Sequence, residues 1–253
     1  MKLQTTDMRK HATASAVSDA LVLPPSLVRQ VKNKLAGLTP PATHPPSPIL
    51  RRHIPNFIGY RNVRTLRSIE TQTLIMRILN TCNIDVAWLS EVRISESGRI
   101  NINVPQSDKS YDLYYSGISD NSGLYGVASA LSGKARASLL EWEPISPRLA
   151  RIRLRGEVFN VSILSIYADT NASSETEKDH FYGTLQTAVS KVPTSDMLII
   201  AGDWNARAGA NNATSRRYMG NFSVGDRCPN GNRMLDSAYT NRCVLLYTFP
   251  SSR

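Results

Sequence analysis

Several short apolar runs in this chain each stop abruptly at a polar side chain, and that pattern narrows the folds open to it. Met197 to Ala201 is a continuous apolar run, the signature of a strand buried on both faces. It ends in Gly202, and Asp203 and Asn205 follow two residues apart. Ile84 to Ser90 is a second such strand and terminates at Glu91. Phe57 to Val63 presents Asn62 near its end, and Phe159 to Ile166 leads into Tyr167-Ala168-Asp169-Thr170. Between the first two strands in chain order, Leu66 to Cys82 places Ile69, Ile75, Met76, Leu79 and Cys82 at helical spacing. A second helix is expected over Ser174–Lys191. Strands with helices between them predict an α/β fold, with the polar groups at the strand ends, where such proteins place their chemistry.

Four strands therefore deliver Asn62, Glu91, Tyr167 and the Asp203/Asn205 pair toward one point. An oxygen-rich cluster of this kind suits Mg²⁺ or Mn²⁺, which prefer carboxylates and water to imidazole or thiolate. Read singly, each element has a plainer account. Gly-Asp-x-Asn also makes an ordinary turn, Asn62 can do the same, and a tyrosine at a strand end is commonly an amphipathic core-edge residue.

The ordered segments Asn62-Val63-Arg64-Thr65-Leu66, Leu89-Ser90-Glu91-Val92-Arg93, Ile166-Tyr167-Ala168-Asp169-Thr170 and Gly202-Asp203-Trp204-Asn205-Ala206 resemble the endonuclease/exonuclease/phosphatase superfamily. More closely, the chain is similar to the endonuclease domain of non-LTR (LINE-like) retrotransposons and to the craniofacial development protein family. The segments 126–132, 142–149, 180–186 and 230–236 look like the same subgroup. The resemblance runs from about Ile54 to the C-terminus and implies two stacked β-sheets flanked by helices. It implies Glu91 as principal metal ligand with Asn62 beside it in the first or second shell. Asp203 would orient or deprotonate the attacking water, and Asn205 and Tyr167 would hydrogen-bond the scissile phosphate.

The same comparison exposes departures. Arg61 stands where the family usually has an apolar residue, and Asp169 where it usually has proline, adding a carboxylate expected to repel a phosphate. Family members continue beyond a segment like Cys243–Phe249 into strands bearing further Asp and His. The expectation is therefore a sandwich incomplete at its C-terminus, impaired as a nuclease and with an exposed apolar edge around Val244 to Phe249. Of four histidines only His180 lies in the body of the chain, on a segment read as an exposed helix.

Residues 1–53 differ in character from 54–253. Between Met1 and Pro55 stand eight Lys and Arg against two Asp, and eight of the 14 prolines. Pro40 to Pro48 reads as an extended linker and Ser26 to Leu35 as a short basic helix in a flexible leader. The net charge of +10 points to a polyanionic partner, taken as DNA, with Arg207, Arg216, Arg217, Arg227 and Arg233 as a candidate phosphate rim. Cys82, Cys228 and Cys243 lack metal or disulfide spacing. No run approaches a membrane span of roughly 18 residues, and Met1 to Ala20 has no apolar signal core. An intracellular protein of nucleus or cytoplasm, with no membrane partner, is expected. A phosphoester phosphatase of the same fold and a non-catalytic nucleic-acid-binding remnant remain as alternatives.

Overall fold

Two mixed β-sheets stack face to face, and helices cover the outer face of each. The computed structural model describes residues 57–246 except 121, 211–214, 222 and 224, together with two short backbone strands nearer the N-terminus. The expected helix over Ser26–Leu35 and the proline-rich stretch lie outside the described residues.

The first sheet has the order β1 (Gln4–Thr5), β3 (Phe57–Asn62), β4 (Val86–Ser90), β7 (Val127–Ser132), β6 (Ser110–Ser116), β5 (Ser97–Asn103). β3 runs parallel to β4, with Asn62 opposite Ser90, and the remaining neighbours from β4 to β5 are antiparallel. The second sheet has the order β12 (Val244–Leu245), β2 (Asp19–Val22), β11 (Met197–Asp203), β10 (Val161–Tyr167), β9 (Leu149–Leu154), β8 (Leu139–Ser146). β10 and β11 are parallel, and their register sets Tyr167 directly opposite Asp203.

Period-two alternation assigns the two faces of each strand. Val86 and Trp88 of β4 meet Ile163 of β10 and Ile199 and Ala201 of β11 in the core between the sheets. Ala87 and Leu89 face the other way, against Ile75, Met76 and Leu79 of helix α1 (Ile69–Thr81). Leu198 and Ile200 of β11 face helices α3 (Glu175–Ser190) and α4 (Pro229–Thr240), where Phe181, Leu185 and Met234 close a third apolar layer. The short helix α2 (Gly133–Arg136) follows β7. Where two serines meet between the sheets, Ser129 and Ser165 share a 2.9 Å hydrogen bond, so neither buried hydroxyl is orphaned.

Helix ends follow local chemistry. Ser68 caps α1 by accepting from the Thr71 amide at 3.3 Å. Ser174 and Glu177 form a reciprocal capping box on α3. The cap at Ser68 turns Ile69 outward to 73% exposure, so it does not join the apolar face as its spacing suggested. Gln72 takes the buried place because its Nε2 donates to the Leu66 carbonyl at 2.7 Å. Val244 and Leu245 are buried and pair antiparallel with β2, which corrects the expected exposed edge at those two positions. Residues 247–253 lie outside the described set.

Candidate active site

At one edge of the sandwich the ends of β3, β4, β10 and β11 come together. The reason lies in the alternation just described. Trp204, 1% exposed, is drawn into the outer layer beside Tyr182, so its neighbours Asp203 and Asn205 turn the opposite way. Gly202 permits the approach, with φ of 147° and its Cα against the backbone of Ile166 on β10.

Asn62 is the hub. Its Nδ2 donates to Glu91 Oε1 at 2.6 Å and lies 3.5 Å from Asp203 Oδ2, so both carboxylates reach one nitrogen. Its Oδ1 accepts from the Arg64 backbone amide at 3.0 Å. In this arrangement Asn62 clamps the two acids, and its oxygen is directed into its own loop. Tyr167 lies 3.4 Å by its hydroxyl from the same Glu91 Oε1. Asp203 Oδ1 accepts from the Asn205 backbone amide at 2.9 Å. Asn205 Nδ2 donates to the Ala168 carbonyl at 2.7 Å, tying the loop after β11 to the loop after β10 and leaving one amide hydrogen for another acceptor.

Burial sets the protonation chemistry. Asp203 is 8% exposed, and burial, reinforced by the nearby Glu91 charge, raises its carboxyl above the ordinary range. Burial and the same two acids push the Tyr167 phenol up to about 12, so it stays a neutral donor at physiological pH. Beneath them the Tyr60 hydroxyl bonds Ser90 Oγ at 2.8 Å, and burial raises this phenol well above its usual value.

Five non-glycine residues at this edge adopt positive φ: Arg64, Glu91, Arg93, Tyr125 and Asn205. Such conformations are costly for side-chain-bearing residues and cluster where surrounding contacts over-determine them. The donor set facing the gap is carboxylate, amide and phenol oxygen or nitrogen, with no imidazole or thiolate. That chemistry fits Mg²⁺ or Mn²⁺, which need one or two protein carboxylates and keep several waters. Among the described residues no group of three or more His, Cys, Asp or Glu forms a denser metal cage.

The structure also supplies residues that motif reading passed over. Arg93 NH2 lies 3.1 Å from Glu91 Oε2. The Arg148 guanidinium stacks 3.6 Å from the Tyr125 ring centre, donates to the Tyr167 and Ala168 carbonyls, and pairs with Asp169 at 2.9 Å. Asp169 is thus buried and neutralised, which corrects the expectation that it repels a phosphate. Asn230 Nδ2, in the first turn of α4, donates to the Asp169 and Asn205 carbonyls at 2.7 and 3.0 Å. Arg148 and Asn230 sit inside segments that carried the family resemblance, and that was the available signal for them. Of the arginine rim, Arg233 belongs to α4 and is held by Glu175 and Asp179, while Arg227 donates to the Ala208 and Ala210 carbonyls. Arg207, Arg216 and Arg217 remain exposed. His180 is exposed on α3, where it lines a cavity of about 420 Å³ with Ile145, Thr184 and Lys191 that includes none of the five site residues.

The stacked sheets, with polar strand ends gathered at one edge, define a two-layered α/β sandwich with a cluster of acids and amides at its rim. The chain is similar to craniofacial development protein 2 of Bos taurus and of Tragulus javanicus, 29% identical to each over 199 residues, or 78% of this chain. Those 199 residues are 32% and 33% of the two proteins, so the chain spans about a third of the length of the curated relatives it matches. No family model matches it. Among solved structures, the endonuclease domain of TRAS1, a telomere-specific non-LTR retrotransposon, has a TM-score of 0.44 at 13% identity, covering 72% of this chain and 70% of that one. The AP endonuclease LMAP from Leishmania major has a TM-score of 0.43 at 12% identity, covering 72% and 65%.

Proposed function

We propose that this chain is a metal-dependent phosphodiester hydrolase of the DNA endonuclease type. The observation that carries the reading is the Asn62 bridge, which brings Glu91 and Asp203 from separate sheets to one nitrogen. Glu91 would hold the divalent ion, with Asn62 fixing its carboxylate. Mg²⁺ or Mn²⁺, when bound, stabilises charge on the phosphoryl oxygens.

The chain's own residues do the rest. Asp203, its carboxyl raised by burial, takes a proton from water more readily than an ordinary aspartate, and the Asn205 backbone amide fixes the orientation of its other oxygen. Tyr167 remains protonated and donates to developing negative charge, and the second amide hydrogen of Asn205 does the same. The net charge of +10 and the exposed Arg207, Arg216 and Arg217 support a polyanionic substrate over a neutral one.

The test is nicking of supercoiled plasmid by the full chain with Mg²⁺, run beside phosphate release from soluble phosphoesters and Mn²⁺ binding by calorimetry. Mg²⁺-dependent nicking that Asp203→Ala abolishes, and Mn²⁺ binding that Glu91→Gln removes but Glu96→Gln does not, are the expected results. Release of phosphate without nicking would transfer the reading to a phosphatase. DNA binding indifferent to both substitutions, with no hydrolysis of either substrate, would reduce the chain to a binding module.

A further inference from the structure

We propose that Arg93 is a displaceable counter-ion of Glu91, so that metal entry frees its guanidinium to capture a substrate phosphate. The inference rests on the reading of Glu91 as the metal-holding carboxylate and adds a coupling between the two ligands of the site.

The two oxygens of Glu91 are occupied differently. Oε1 faces inward, to Asn62 Nδ2 at 2.6 Å and the Tyr167 hydroxyl at 3.4 Å. Oε2 faces Arg93 NH2 at 3.1 Å. The Glu91 side chain is 19% exposed and that of Arg93 44%, so the cation lies on the solvent side of the carboxylate, where an arriving ion must come. An ion pair exposed to this degree is weak, and a divalent ion outcompetes it.

Only the side chain has to move. The Arg93 amide donates to the Tyr125 carbonyl at 2.9 Å, and its own carbonyl accepts from Arg67 Nε at 2.9 Å. These two bonds hold the backbone in its positive-φ conformation, with φ of 56°, whichever partner the guanidinium takes. Released from Glu91, the guanidinium presents its planar donors at the rim, and that geometry matches a phosphodiester. The two arrangements, Arg93 on Glu91 and Arg93 on phosphate, are the two states that link the ligands. By linkage each ligand then raises the affinity of the other by the same factor.

The test is equilibrium binding by the full chain, with Mn²⁺ titrated alone and in the presence of a short DNA duplex, read by calorimetry and by the Mn²⁺ paramagnetic resonance signal. The native chain should bind Mn²⁺ about 5-fold or more tightly when the duplex is present, with the reciprocal gain for the duplex. Arg93→Gln should bind Mn²⁺ alone more tightly than the native chain and lose the coupling. Arg93→Lys should retain part of it. Arg64→Gln removes the same charge from the same rim without a contact to Glu91, and should leave Mn²⁺ affinity unchanged. The proposal is overturned if Arg93→Gln weakens Mn²⁺ binding or leaves it unchanged, matches Arg64→Gln, or keeps the full coupling. If Glu91→Gln leaves Mn²⁺ binding intact, the underlying site reading fails as well. If Glu91→Gln abolishes it while Arg93→Gln changes nothing, this inference fails alone.

Discussion

Asp196 and Asp203 bracket β11, and they are buried in opposite ways. Asp196, just before the strand, receives a two-pronged bond from Arg153 at 2.7 and 2.9 Å and a third from the Ser162 hydroxyl at 2.7 Å. Asp203, at the strand's end, receives hydrogen bonds from the Asn205 amide and the Asn62 side chain, neither of which is a cation. One acid is held by a cation, and the other, the proposed base, is not.

Removing the first should therefore be severe. Asp196→Ala leaves the Arg153 guanidinium and the Ser162 hydroxyl without their shared acceptor, and such a loss costs about 3–5 kcal/mol. Burial opposes the charged form of Asp196, but the Arg153 and Ser162 bonds outweigh it and hold its carboxyl below the ordinary range. Its contribution is present above the ordinary aspartate range and disappears as pH falls through the lowered native value. Urea unfolding at pH 7 and at pH 3 should show a large native-to-variant gap at the first pH and a smaller one at the second. An equal gap at both would rule the ion pair out as the cause.

Asp203→Asn should act with the opposite sign. A carboxyl raised by folding destabilises the native state once pH climbs from the unfolded value through the native one, because the folded form then holds the extra proton. The substitution is thus expected to raise the urea midpoint at pH 8 and to change it little at pH 3.5, while removing hydrolysis. A loss of stability at pH 8 would contradict this account of the site.

Two glycines separate conformational need from mere absence of a side chain. A Cβ on Gly202 would stand 1.9 Å from the Ile166 carbonyl oxygen, and φ there is 147°. Gly202→Ala should cost more than ~3 kcal/mol or leave the chain insoluble. Gly183 lies inside α3 with nothing within 4 Å of a new Cβ. Gly183→Ala should stabilise by about 0.5–1 kcal/mol, both variants being read by thermal melting. Similar effects from both would show that the close approach of β10 and β11 is not what Gly202 serves.

DNA binding should weaken steeply with salt, as expected where phosphate contacts release counterions. Deleting residues 1–53 is the wrong probe of this charge, since the backbone of Asp19–Val22 pairs with both β11 and β12. Replacing Lys2, Arg9, Lys10, Arg29, Lys32 and Lys34 by glutamine tests charge alone, and should flatten the slope of log affinity against log salt. An unchanged slope would place the phosphate contacts elsewhere.

The buried strands were legible because apolar runs ending in a polar group have few other uses, whereas the register that sets Tyr167 against Asp203 emerges only from their pairing in three dimensions. Helices α1 and α3 emerged within three residues at each end, since Ser68 and Ser174 are strong caps. Strands β5 and β8 were harder to read. Their exposed or half-buried faces carry Arg99, Asn101, Glu141 and Glu143 among the apolar residues, which blurs period-two patterning. Helix α4 was hidden because its cap is Cys228, whose sulfur accepts from the Arg207 amide and offers no side-chain cap to its own helix. The orientation of Asn62 was beyond sequence reasoning altogether. It depends on which of two amide atoms meets the Arg64 backbone, a choice settled only in three dimensions.

The Arg148–Asp169 pair is asymmetric in what each member needs from the other. Asp169 is a carboxylate whose side chain is 8% exposed, and without Arg148 it would be an unmatched charge in the interior. Arg148 has other partners, since it stacks on Tyr125 and donates to two backbone carbonyls. The arginine can therefore outlive the aspartate, but the aspartate cannot outlive the arginine without cost. Asp169→Asn should be accepted more easily than Arg148→Ala.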